Sequence, residues 1–258
     1  QEDLMNLHNA QPTAASNDPR TPAPPTGNSW DALIRRPALI AFLALWFLLK
    51  VVLHHFIARD STPLRSISPN MFFICHYLLL FAVGAVAFHH RASRAAHWVR
   101  DNKLRAVGTV IAGYIALQIA GWLAAYASQL LDPAGALGKV SLNDEAVARA
   151  VTERNGGAET LLLFATVAFI GPIVEEFFFR QFLIDFLDQY IPGWASLTIS
   201  SALFGVYHMH ALTLSELINV LPHMSLGIVF STVYVLTKRN IIMSSAVHIA
   251  NNLPALAL

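Results

Sequence analysis

The chain has 258 residues, of which 55% are hydrophobic and 13% charged, with a formal net charge of +1 and a single cysteine. Soluble domains carry about twice that share of charge, so the composition excludes a soluble globular domain and points to a chain that crosses a membrane several times. The near-neutral balance, without any basic stripe interleaved with aromatics, excludes nucleic acid as a partner, and a lone Cys75 in an apolar run excludes an intrachain disulfide and is expected to pack.

Residues 1–32 contain "NAQPTAASNDPRTPAPPTGNS", rich in Pro, Ala and polar residues with nothing to bury, and are expected to form a disordered tail. The tail lacks the charged start and short apolar core of a signal peptide, and a start at Gln1 suggests processing or truncation. Residues 33–258 are expected to form the membrane domain. Apolar runs of about 20 residues, the length of a spanning helix, fall near 37–57, 71–88, 106–131, 159–187, 194–211, 217–236 and 240–257. The fold class is therefore all-α: a polytopic transmembrane bundle of about seven to eight helices. Gly171–Pro172 interrupts the fourth run and predicts a kink or restart just before Glu175, because proline lacks an N–H and its ring clashes with the preceding turn.

Loop charges orient the spans. Arg91, Arg94, Arg100, Lys103 and Arg105 follow the second run, whereas Asp132, Asp144, Glu145, Glu153 and Glu159 follow the third. A Lys/Arg excess marks the inside, so the first of these loops and the N-terminus are expected in the cytoplasm, with the protein in the cell membrane. Arg35, Arg36, Lys238 and Arg239 agree with that orientation. The external loop is expected to hold a short helix capped by Ser141 and closed after Gly156.

Polar groups at membrane depth mark a functional interior. Here they are Glu175, Glu176 and Arg180 in "EEFFFR", His208 four residues after Phe204, and His248 four residues before Asn252. Residues four apart share a helix face, so Glu176 pairs with Arg180, and His248 and Asn252 can address one point. Glu175, rotated by about 100°, is left to face the bundle interior. By helical rise, Glu175, His208 and His248 all fall within roughly 10 Å of the midplane. A carboxylate among Phe177, Phe178 and Phe179 suits a general base for water; a histidine beside it can assist or protonate a leaving amine; a His/Asn pair can donate to an oxyanion. No serine elbow motif is present, and these parts describe hydrolysis without a covalent intermediate.

"EEFFFR", "FGVYH" and "HIANN" fit the patterns EExxxR, FxxxH and HxxxN. In this order on successive helices they resemble the CAAX protease and bacteriocin-processing (CPBP) family, whose eukaryotic relatives are the type II CAAX prenyl endopeptidases, the Ras-converting enzymes. The resemblance covers residues 159–256. It implies an intramembrane endopeptidase without a cofactor, with Glu175 as base, His208 as its partner, His248 and Asn252 at the oxyanion, and Glu176, Arg180 and Phe204 in support. It further implies a peptide or lipidated-protein substrate at the lipid bilayer.

Asn251 and His210 stand beside motif positions and compete for those roles, while His223 fits no motif and is expected in the core or at an interface. His54, His55, His89 and His90 are expected at span ends. The end at "NNLPALAL" leaves the last span short. Three other readings stay open: a zinc peptidase using two His and a Glu, though no HExxH is present; a non-catalytic immunity or regulatory partner of the same fold; and a proton-coupled transporter, for which no internal repeat is evident.

Overall fold

The computed structural model describes residues 37–48, 68–132, 157–209 and 211–255. The N-terminal tail, His54, His55, His210 and the external-loop helix lie outside the described residues. The described residues form seven helices: α1 Pro37–Phe47, α2 Pro69–Asp101, α3 Lys103–Leu131, α4 Ala158–Leu187, α5 Gly193–Tyr207, α6 Leu214–Leu236 and α7 Ile241–Ala255. They contain no strand. Four of them, α2, α3, α4 and α6, are long and apolar enough to cross a membrane. The protein is an all-α helical membrane bundle.

Two expectations about local structure need correction. The basic stretch after the second run is not a loop: α2 continues in regular helix to Asp101, and Asn102 alone separates it from α3. Residues 89–101 contain no glycine or proline, and their alanines and arginines are strong helix formers, so charge alone does not end the helix. His89 and His90 are accordingly mid-helix and exposed, and Cys75, expected to pack, is exposed as well.

The second correction concerns Gly171–Pro172. The chain does not leave helical conformation and restart there; α4 runs through, with π-helical turns over Thr166–Ile170 and Phe177–Ile184 on either side of Gly171–Glu176. The Gly171 N–H reaches back to the Thr166 carbonyl, five residues away, rather than four. A widened turn makes room for the proline ring and absorbs its missing donor without breaking the helix.

α1 turns Leu39, Phe42 and Trp46 inward, at helical spacing, against an aromatic wall of Phe88, Phe177, Phe178 and Phe179. α2 buries Tyr77, Leu80, Ala87 and Phe88 on one stripe. α3 is peripheral, with 17% of its apolar window buried, and turns Ile111, Ile115, Ile119 and Trp122 outward. α5 and α6 pack backbone to backbone: a Cβ on Gly205 would lie 2.9 Å from the Val220 carbonyl oxygen and 3.1 Å from the Met224 nitrogen. Gly205→Ala is therefore expected to force α5 away from α6 and lower stability by about 1–3 kcal/mol. Gly121→Ala on α3, where a Cβ meets nothing within 4 Å, is expected to be neutral or slightly stabilising. Thermal unfolding of the two variants in detergent checks the contrast.

One end of the bundle collects the basic residues. Asp185, buried on α4, accepts from Arg91 of α2, from Arg239 Nη1 at 2.6 Å and from the Tyr234 hydroxyl at 3.2 Å; Arg239 also holds Asp188. Asn240 caps α7 through the Ile242 and Met243 amides and donates to the Ala95 carbonyl of α2. The basic end of α2 and the α6–α7 turn thus lie on the same face, as their shared charge requires.

Candidate active site

The three motif-bearing helices reach similar depths from that basic face. Glu175 lies ten residues from Asp185 and His248 eight from Asn240, or about 15 Å and 12 Å at helical rise. α5 brings His208 in from the same side, where it ends the helix as its C-cap.

Glu176 and Arg180 form the anchor. Both are fully buried; Arg180 Nη1 stands 3.1 Å from Glu176 Oε1, and Arg180 Nη2 donates to the Gly227 carbonyl of α6 at 3.0 Å. The guanidinium carbon lies 4.6 Å from the Phe204 ring centroid, 5.3 Å from that of Phe230 and 5.8 Å from that of Phe179. Those rings belong to α5, α6 and α4, so one cation ties three helices by its charge and its faces. Glu176 does more than pair with Arg180: His248 Nδ1 also lies 3.1 Å from Glu176 Oε1.

A carboxylate held by arginine is an acceptor only, so the His248 Nδ1 carries the proton and its Nε2 points onward. The same logic fixes His208, whose Nδ1 lies 2.7 Å from the Phe204 carbonyl oxygen. Phe204, besides supplying that carbonyl, places its ring 4.6 Å from the His208 ring and 5.7 Å from the His248 ring. Phe230 stacks on His248 at 4.2 Å with the planes 20° apart. Both imidazoles are thus fixed in tautomer and in plane.

Glu175 is where they converge. Its Oε2 is 4.0 Å from His208 Nε2 and 3.9 Å from His248 Nε2, and only 8% of the residue is exposed. The structure therefore brings Glu175, His208 and His248 together, with Glu176 behind His248. Asn252, one turn beyond His248, donates from Nδ2 to the Val167 carbonyl of the first π-turn at 3.1 Å and accepts from Asn251 at 3.3 Å. A side-chain amide has two donors, and this bond uses one. Among the described residues no group of three or more His, Cys, Asp or Glu side chains is placed to hold a metal ion.

Several neighbours carry no sequence signal for this place. The Tyr77 hydroxyl donates to Glu175 Oε1 at 3.4 Å, and the Tyr77 and Tyr207 hydroxyls are 2.9 Å apart. His223 stacks on His208 at 4.5 Å, its Nδ1 held by the Asn219 carbonyl. His223 was expected in the core or at an interface, and it lies half-buried against a motif histidine. Its position fifteen residues further along the chain, on a helix without a motif, gave no hint of that contact.

Comparison with known proteins agrees with the motif reading. No curated protein and no solved structure matches the chain. A family described as type II CAAX prenyl endopeptidase Rce1-like matches residues 157–254, the segment that forms α4 to α7 and carries all three motifs. The chain is thus similar over this segment to an Rce1-like family, in line with the CAAX-type membrane protease resemblance of its motifs.

Proposed function

We propose that the protein is an intramembrane endopeptidase in which Glu175 and His208 activate water against a peptide bond. The observation that carries this reading is the spacing of Glu175 Oε2 from the two Nε2 atoms, 3.9 and 4.0 Å. Those separations are too long for direct hydrogen bonds and suit a single water bridging the three groups. Three acceptors facing one another need at least one proton among them, which fits a carboxylate beside an imidazolium.

In the first step the bridging water gives a proton to Glu175 Oε2 while its oxygen bonds to the scissile carbonyl carbon, and the carbonyl electron pair moves onto oxygen. His248, when its Nε2 carries a proton, donates from there and with the second amide hydrogen of Asn252 stabilises the oxyanion. In the second step the oxyanion electrons return, the C–N bond breaks, and the proton on Glu175 passes to the leaving nitrogen, directly or through His208. One water is consumed, and a carboxylic acid and an amine are released. The substrate is a peptide or lipidated protein at the bilayer, and the basic end of the bundle faces the cytoplasm of a cell-membrane protein.

The test is cleavage of a broad peptide library by the purified, detergent-solubilised protein, read by mass spectrometry with and without a chelator. Cleavage unaffected by chelation and lost in His208→Ala is the expected result. Cleavage lost on chelation and restored by zinc would overturn the metal-independent mechanism. A protein whose biological effect survives Glu175→Gln would be a non-catalytic partner instead.

A further inference from the structure

The Rce1-like match begins at residue 157, yet the base is held in part by residues before it. We infer that Tyr77 and Tyr207 are positioning residues for Glu175, so that α1 and α2 supply one arm of the active site. The inference rests on Glu175 being the base.

An ionised carboxylate only accepts, so in the Tyr77–Glu175 contact the Tyr77 hydroxyl donates to Oε1. The Tyr77 hydroxyl has one hydrogen, already used, so in the 2.9 Å contact with Tyr207 it must accept. The chain therefore runs in one sense, from the Tyr207 hydroxyl to the Tyr77 hydroxyl to Glu175 Oε1, and each bond strengthens the next. Its consequence is a division of labour within one carboxylate: Oε1 is tied to the tyrosines, and Oε2 is left toward His208 and His248, at 4.0 and 3.9 Å. The proton taken from water then arrives on the oxygen that faces the histidines.

The tyrosines are themselves held. The Trp46 ring of α1 lies parallel to Phe178, 4.3 Å away and 3° from coplanar, and 5.3 Å from the Tyr207 ring at 22°. Phe179 meets Tyr207 edge-on at 5.4 Å, and Phe73 packs on Tyr77 at 4.6 Å. Tyr77 is 4% exposed. A hydroxyl in such a frame has little freedom to leave its partner, and burying it without a purpose would be costly.

The test uses the full chain and three variants, Tyr77→Phe, Tyr207→Phe and Glu175→Gln. Two readouts are taken: kcat and KM across pH on a peptide that the wild type cleaves, and the infrared carboxyl band that Glu175→Gln removes. Tyr77→Phe deletes one oxygen and keeps the ring packing. It is expected to lower kcat roughly tenfold, the effect of one lost hydrogen bond to a charged group, to leave KM within about twofold, and to shift the acid limb of the kcat profile. It is also expected to shift the Glu175 carboxyl band, and Tyr207→Phe to do the same more weakly. Unchanged kcat, pH limb and carboxyl band in Tyr77→Phe, with Glu175→Gln inactive, would overturn the positioning role and leave the base assignment standing. Cleavage retained in Glu175→Gln would instead overturn the base assignment, and the positioning role with it. The infrared band reads the tyrosine contact without any substrate.

Discussion

Glu175→Gln is expected to abolish peptide cleavage while the bundle stays folded. Glutamine keeps the shape of the side chain and an oxygen for the Tyr77 hydroxyl, but offers no basic oxygen to the water between His208 and His248. A positioned general base contributes about 10²–10⁴-fold to rate, and that full factor is lost from kcat. Binding of the peptide needs no proton transfer, so KM changes far less. The fold should tolerate the change because the Arg180 anchor closes on Glu176 and on the Gly227 carbonyl, and both of those contacts stay. Steady-state kinetics alongside a thermal unfolding curve in the same detergent check both halves. A variant that is inactive because it is unfolded would not support the assignment.

The second large effect is on folding. Arg180→Met is expected to cost about 3–5 kcal/mol, the penalty for removing one partner of a buried ion pair and stranding the other. Glu176 would remain fully buried beside His248 without its arginine, and the Gly227 carbonyl would lose its side-chain donor. The cation that meets the Phe179, Phe204 and Phe230 rings would also go. Against a total stability of about 5–15 kcal/mol, such a loss should leave much of the protein unfolded or aggregated on extraction. Glu176→Gln is expected to destabilise less, since an amide oxygen still faces Arg180, but to lower activity as well, because the acceptor that orients His248 Nδ1 is weakened. The share of monodisperse protein after extraction, with its unfolding temperature, separates the two variants; an Arg180→Met protein that unfolds at the wild-type temperature would refute the anchor.

Which parts of this were legible in the sequence follows from the range of each interaction. The placement of the described helices was readable because apolar runs mark them, although only four of the seven are long and apolar enough to cross a membrane. The Glu176–Arg180 pair was readable because four residues of helix fix its geometry, and it stands at 3.1 Å. The meeting of Glu175 with His208 and His248 was readable through their common depth and through motif order, since they lie on three different helices. Contacts across long chain separations left no trace: Tyr77 is 98 residues from Glu175, and Arg91 is 94 residues from Asp185. The sequence also misled in two places for local reasons. Pro172 read as a break because a four-residue hydrogen-bond ladder cannot hold it, whereas a five-residue one can. The run of arginines after Phe88 read as a loop on charge, although every residue up to Asp101 accepts helical geometry.

The central claim is that water attacks the peptide bond directly, and its most direct measurement weighs enzyme and product together. Turnover in ¹⁸O-labelled water, in the presence of a chelator, is stopped with acid during the first cycle, and the intact masses are read. The expected result is a product whose new carboxyl group carries the label and an enzyme whose mass is unchanged. An enzyme heavier by the acyl half of the peptide would show a covalent intermediate and contradict it.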